Sequence, residues 1–189
     1  MTTWFTSDHH FAHANILQYE YRPWEKIDQM DKGLIRRHNE LVSKDDEVWF
    51  IGDFSLKGSG ARNWYELTLS KLNGTKHLVL GNHDRMKPFA YVDCGFASVH
   101  TGIKITIEGY EIVMVHDPSA SIMFKDRLVL CGHVHSLFRF RTFLEGGVVM
   151  NVGVDVWDWR PVSLKTVVNF ARKQFSGQFQ HWALRNMRS

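Results

Sequence analysis

The chain has 189 residues, 44% of them hydrophobic and 23% charged. That is the make-up of an ordinary globular protein, long enough to bury a substantial core without a disulfide or metal staple. Its two cysteines, Cys94 and Cys131, are far apart and form no CxxC, which argues against a disulfide framework, and the net charge of +3 decides little by itself.

In chain order, Thr2–Thr6 is a short apolar run rich in β-branched and aromatic residues, and it leads into Ser7-Asp8-His9-His10. It reads as a buried strand. Asp28–Val42 then places Met30, Leu34, Ile35, Leu41 and Val42 at helical spacing, with Arg36, Arg37 and Glu40 on the wet side. A second strand, Glu47–Ile51, runs into Gly52-Asp53. After the loop Gly58-Ser59-Gly60, Ala61–Leu72 predicts a helix ending at Asn73-Gly74. The third strand, His77–Leu80, ends on Gly81-Asn82-His83-Asp84. Strands alternating with helices predict a mainly parallel sheet with crossover helices.

The second half changes character. Ile103–Ile107 and Glu111–Val115 flank Gly109-Tyr110 as a hairpin, and the second of these strands runs into His116-Asp117. Leu128–Cys131 leads into Gly132-His133-Val134-His135, and Phe138–Phe143 and Val148–Val152 follow as strands. Pro161–Phe175 predicts a last helix with Gly177 as its stop. The fold class expected is α/β: two packed mixed sheets flanked by helices. With no repeat, low-complexity stretch or linker, residues 1–189 read as a single domain. No basic and apolar leader precedes Asp8 and no run is long enough for a membrane span, so cytoplasmic residence is expected.

Five strands thus end on Asp, Asn or His, and ligands in open α/β sheets gather beyond the carboxyl ends of strands. Asp8/His10 and His133/His135 are spaced i, i+2, on one face of extended backbone. Gly52, Gly81 and Gly132 permit a sharp turn and close approach. Two cations held about 3.5–4 Å apart need an anionic bridge and a set of oxygen and imidazole donors. Such donors suit Mn, Zn or Fe, whereas the absence of thiolates from all five motifs argues against a structural zinc.

The blocks Asp8-x-His10, Gly52-Asp53, Gly81-Asn82-His83-Asp84, His116 and Gly132-His133-x-His135 resemble, in order, the signature of the calcineurin-like metallophosphoesterases. The segment Thr6–Ile16 is similar to the opening of their small bacterial and phage members. That resemblance implies two divalent ions, Mn²⁺ foremost, with Fe, Zn and Ni as alternatives. Asp8, His10, Asp53 and His135 would hold one ion, and Asp53, Asn82, His116 and His133 the other, with Asp53 bridging. It further implies that His83 protonates the departing oxygen while Asp84 orients its imidazole. Hydroxide held between the ions would attack phosphorus in line. The substrate implied is a phosphodiester or phosphomonoester, of a nucleotide or nucleic-acid end, with the diester favoured by an open cleft.

Other residues have a plainer alternative. His13, Asn15 and Arg85 are candidate contacts to the substrate phosphate, although Asn15 equally suits a helix cap and Arg85 a solvated loop. His9 should face away from its neighbours into packing, and Asp117 suits a turn. Trp24 is a candidate base-stacking platform. After Asp158 there is no acid, while Arg160, Lys165, Arg172, Lys173, Arg185 and Arg188 follow among aromatics, so nucleic acid is a candidate partner. The rival to an enzyme is a non-catalytic or nucleic-acid-binding module on the same fold, but every motif position is filled. Oligomeric state is not legible in the sequence.

Overall fold

The computed structural model describes residues 1–124, 127–142 and 147–174. Its first sheet is built from β1 (Thr3–Thr6), β2 (Glu47–Ile51), β3 (Thr75–Val79) and β4 (Ser98–His100), which pair in parallel in that order. The short β10 (Val162–Ser163) lies antiparallel to β1 on the outer edge. The second sheet has the order β5 (Ile103–Ile107), β6 (Tyr110–Met114), β7 (Leu128–Cys131), β9 (Val148–Asn151), β8 (Phe140–Thr142). There the inner pairs β6·β7 and β7·β9 are parallel and the edge pairs antiparallel.

The two-residue period of a strand explains how these runs become layers. Trp49 and Ile51 of β2 join Ile112, Met114, Leu128, Leu130, Val148 and Met150 in a core between the sheets. The alternate residues Val48 and Phe50 face the other way, onto Met30, Leu34, Tyr65, Leu69 and Tyr91. Those come from α2 (Ile27–Asn39), α3 (Arg62–Ser70) and α4 (Pro88–Asp93), which cover the outer face of the first sheet. Val113, Val129, Cys131 and Val149 form a smaller cluster on the far side of the second sheet, with Phe124 of a 3₁₀ segment and Phe138 against it. A last helix, α5 (Leu164–Gln174), adds Leu164, Val167, Val168 and Ala171 to the inter-sheet core. Strands buried on both faces need apolar residues at every position, which is why the runs lack polar alternation. Cys94 and Cys131 are buried free thiols.

Three readings of the sequence are corrected. The hairpin turns at Glu108-Gly109, because Ile107 pairs with Tyr110 and both turn residues have positive φ (49° and 82°), the two-residue turn that matches strand twist. The expected helix from Pro161 begins instead as β10 and turns helical at Leu164; Phe175 and Gly177 lie outside the described residues. Trp24 is no open platform: it packs against Trp159 at 5.3 Å between ring centroids and covers Gly33, where a Cβ would lie 2.6 Å from its Nε1. Two short elements carried no sequence signal, β4 and α4, along with a four-residue helix α1 (Ile16–Tyr19) after the first strand. The basic segment from Arg185 lies outside the described residues. No helix among the described residues is long and apolar enough to cross a membrane.

Candidate metal centre

Parallel pairing carries the ends of β1, β2 and β3 to one edge of the first sheet, and β6, β7 and β9 end at the matching edge of the second. The loops that leave them are tied together by main-chain hydrogen bonds. Asp8 N donates to Gly52 O (3.1 Å), His10 N to Asp53 O (3.0 Å) and Gly132 N to His116 O (3.0 Å). Asp8, His10, Asp53, His133 and His135 all have positive φ, between 45° and 72°. Side-chain-bearing residues rarely adopt that region and persist there only when the surroundings over-determine it. Here the left-handed steps turn successive side chains inward.

The convergence is tight. Ligand-type atoms of Asp8, His10 and His135 lie within 4.8 Å of one another, and so do those of Asp8, Asp53 and His116. Asp53 Oδ2 sits 3.5 Å from His10 Nε2 and 3.3 Å from His116 Nε2, a carboxylate oxygen between two imidazoles. Asn82 Oδ1 joins the second group, 3.1 Å from His116 Nε2 and 2.9 Å from His133 Nδ1. Asp8 accepts the His133 amide on both oxygens, at 3.0 and 3.1 Å. The seven residues expected as ligands are therefore together.

Three features of this cluster fit bound cations. First, buried His10 Nε2 has no hydrogen-bond partner, an omission a native protein rarely tolerates without an occupant. Second, tautomers are set from behind. His116 Nδ1 donates to Ile51 O at 2.8 Å and His135 Nδ1 to the Asp155 carboxylate at 2.8 Å, so each Nε2 keeps its lone pair for the centre. Third, glycines clear the space: a Cβ at Gly81 would overlap the Asp53 carboxylate, and one at Gly153 would lie 2.8 Å from Asp8 Oδ2.

The electrostatics agree. Burial pushes the Asp8 carboxyl up and the His10 imidazolium down to about 2, so His10 is a neutral donor. Burial also opposes a charge on His116, but its hydrogen bond to Asp53 and the charges of Asp8 and Asp53 outweigh that and raise it to about 9. Burial resists the Asp53 charge as well, and the His116 partner overcomes it, lowering Asp53 to about 2. A cation bound at the centre would take the place of the proton this environment favours on His116 Nε2.

The remaining expected residues divide. His83 comes to the edge of the cluster, 31% exposed, with its Nε2 4.0 Å from Asp53 Oδ2 and its amide donating to Asp53 Oδ1 at 2.9 Å. His13 lies beside it, 5.3 Å from the His10 ring and 6.3 Å from the His83 ring. Asp84 is a correction. Its carboxylate does not hold the His83 imidazole; it accepts the amides of Asp53 (2.8 Å), Phe54 (3.1 Å) and Gly81 (2.8 Å), clamping two ligand loops together. Burial raises its carboxyl to about 7. Asn15 occupies the N-cap of α1 without a side-chain capping bond, and Arg85 is exposed with no polar partner among the described residues. His9 is stacked on Phe11 and Asp117 Oδ1 accepts the Ser119 amide, both structural as expected.

Three residues escaped the sequence reading. Arg22 binds Asp155 through Nε (2.9 Å) and Nη2 (3.0 Å), and donates to Asp8 O (2.6 Å) and His9 O (2.7 Å). Asp155 in turn holds His135. Asn151 Nδ2 fixes the same loop by donating to His135 O at 2.7 Å. A signal for Asp155 and Asn151 existed, since Val148–Asn151 is one more strand that runs into a glycine and an acid.

Comparison with known proteins agrees with this geometry. The family model of the calcineurin-like phosphoesterases matches residues 1–143. An uncharacterized protein of Methanocaldococcus jannaschii is 33% identical over 170 residues, covering 88% of this chain and 89% of that protein. The gene 66 protein of Mycobacterium phage D29 is 30% identical over 180 residues, covering 82% and 88%. In fold, the chain is similar to a protein of unknown function from Aquifex aeolicus (TM-score 0.69, 24% identity, 89% and 98% covered). It is likewise similar in fold to an archaeal phosphodiesterase (TM-score 0.51, 18% identity, 87% and 100% covered). With the matched range spanning the strand-end residues from Asp8 to His135, the chain belongs to the calcineurin-like phosphoesterase family.

Proposed function

We propose that this protein is a dinuclear metal-dependent phosphoesterase acting on a nucleotide-type phosphate ester, with diesters favoured over monoesters. The observation that carries the reading is the Asp53 oxygen placed 3.5 Å and 3.3 Å from two imidazole nitrogens, one of them buried and unpartnered. Asp8, His10, Asp53 and His135 would hold one ion and Asp53, Asn82, His116 and His133 the other. Mn²⁺ is the ion we assign, with cytoplasmic residence and a single domain part of the same reading. Two such cations would lower the pKa of a bound water and offset negative charge on the phosphoryl group.

The protein's own residues do the rest. His83 is outside both ligand sets and partly open to solvent, and its imidazole is the group we assign to deliver a proton to the departing oxygen. His13, on the same flank, is placed to donate to a phosphate oxygen, and burial lowers its imidazolium. Arg85, exposed two residues after His83, is a further candidate contact to the phosphate.

The test is hydrolysis of bis-p-nitrophenyl phosphate and p-nitrophenyl phosphate by chelated protein reloaded with Mn²⁺. Metal-restored cleavage with the diester faster is the expected result. Metal bound but neither ester cleaved, with Zn²⁺ and Ni²⁺ also tried, would leave a binding module on the same fold.

A further inference from the structure

Next to His133 the surface opens into a groove of about 480 Å³, within the range of pockets that take small organic ligands. Pro118, Leu137, Phe138 and Val149 give it apolar walls, and Arg141, Asp117 and His133, the last an expected ligand, complete its lining. The wall is prearranged. Val134 N donates to Gly132 O and Leu137 N to Val134 O, both at 2.9 Å, and Asn151 Nδ2 donates to Phe138 O at 2.9 Å. Leu137 is nevertheless 69% exposed. The Arg141 guanidinium lies over the Phe138 ring at 4.4 Å from its centroid, and among the described residues it has no hydrogen bond or ion pair. A guanidinium plane backed by an aromatic ring is a surface on which a nucleobase stacks, and its charge favours a phosphate-bearing ligand.

Position decides what the groove holds. The His83 ring contacts those of His10 and His13, at 5.3 and 6.3 Å, while the His133 ring contacts that of His116 at 5.2 Å. Proton donor and groove thus lie on different flanks of Asp53. In an in-line displacement the departing oxygen leaves toward the proton donor, and the groups that stay on phosphorus project sideways. We infer that the groove beside His133 binds the nucleoside that remains attached to phosphorus, which makes a base-bearing phosphodiester the substrate class. A monoester has no second substituent to place there. This inference rests on the phosphoesterase reading above.

The experiment uses three substrates with one leaving group: thymidine 5′-(p-nitrophenyl phosphate), methyl p-nitrophenyl phosphate and p-nitrophenyl phosphate. With Mn²⁺-loaded protein, kcat/KM for the thymidine diester should exceed that for the methyl diester by roughly 5- to 150-fold, the effect of one stacked base. In Phe138→Ala, Arg141→Ala and the surface variant Leu137→Ala that ratio should fall toward one, through KM. Leu137→Ala carries the test if Phe138→Ala fails to fold. A wild-type ratio near one, or a ratio unmoved in the folded variants, overturns the inference while leaving the phosphoesterase reading intact. Cleavage of none of the three esters overturns that reading, and this inference with it.

Discussion

Arg22→Met removes the guanidinium that ties the backbone of Asp8 and His9 to Asp155, the carboxylate that holds His135. The Arg22 and Asp155 side chains are 0% and 1% exposed, so the pair is screened from water. Met keeps most of the volume but leaves the Asp155 charge with only His135 opposite it, and leaves the carbonyls of Asp8 and His9 without their 2.6 and 2.7 Å donors. Breaking a buried ion pair by removing one partner costs roughly 3–5 kcal/mol. For a chain of this size that corresponds to a fall in Tm of roughly 6–20 °C, at about 2–4 °C per kcal/mol. The assay is urea denaturation of metal-free protein, which keeps the contribution of ion binding out of the comparison. The double variant Arg22→Met/Asp155→Leu should regain much of the lost stability, because an apolar pair can replace a buried ion pair at little cost. It should not regain cation affinity, because His135 has lost the acceptor that orients it. A loss below about 1 kcal/mol in Arg22→Met would mean that the pair behaves as an exposed one and contributes little to the fold.

His83→Ala should keep both cations and lose roughly 10²–10⁴ in turnover on esters with poor leaving groups; full activity on an alkyl ester would remove His83 from the proton-donor role. Gly81→Ala should fold yet bind Mn²⁺ weakly, because the added Cβ would overlap the Asp53 carboxylate and amide; unchanged affinity by titration would contradict this. His38 predicts a pH dependence. Burial, with Lys76 adding to it, holds its imidazolium down at about 4 against the 6.5 of an open chain, despite the bond from Nε2 to Asn73 O. The stability it contributes is complete above about pH 6.5 and is lost as pH falls toward about 4, up to roughly 3 kcal/mol. Between about pH 7 and about pH 4.5, wild type should therefore lose more stability than His38→Gln, and equal losses would count against the assignment.

Most of the candidate centre was legible because each expected ligand follows an apolar run whose end is marked by glycine or a polar cluster. A strand buried on both faces leaves no doubt about where its polar residues begin. The turns were not legible. Positive φ at Asp8 and His10 is set by hydrogen bonds to Gly52 O and Asp53 O, more than forty residues away in sequence. Arg22 was hidden for the same reason, its partner Asp155 being 133 residues distant. The orienting role for Asp84 came with the family resemblance, and no local pattern in the sequence tests it. In the folded loop its carboxylate points back to three amides. Trp24 shows the converse: an aromatic in a loop resembles a ligand platform until the glycine beneath it, Gly33, is seen to leave room for the ring.

We assign Asp53 as the residue that joins two cation sites. The measurement that tests it is activity on bis-p-nitrophenyl phosphate as Mn²⁺ is titrated into metal-free protein at a concentration well above its Kd. The expected result is no activity at the start, a rise that levels off at two equivalents per chain, and loss of both bound Mn²⁺ and activity in Asp53→Ala. Full activity at one equivalent, or without metal, would contradict it.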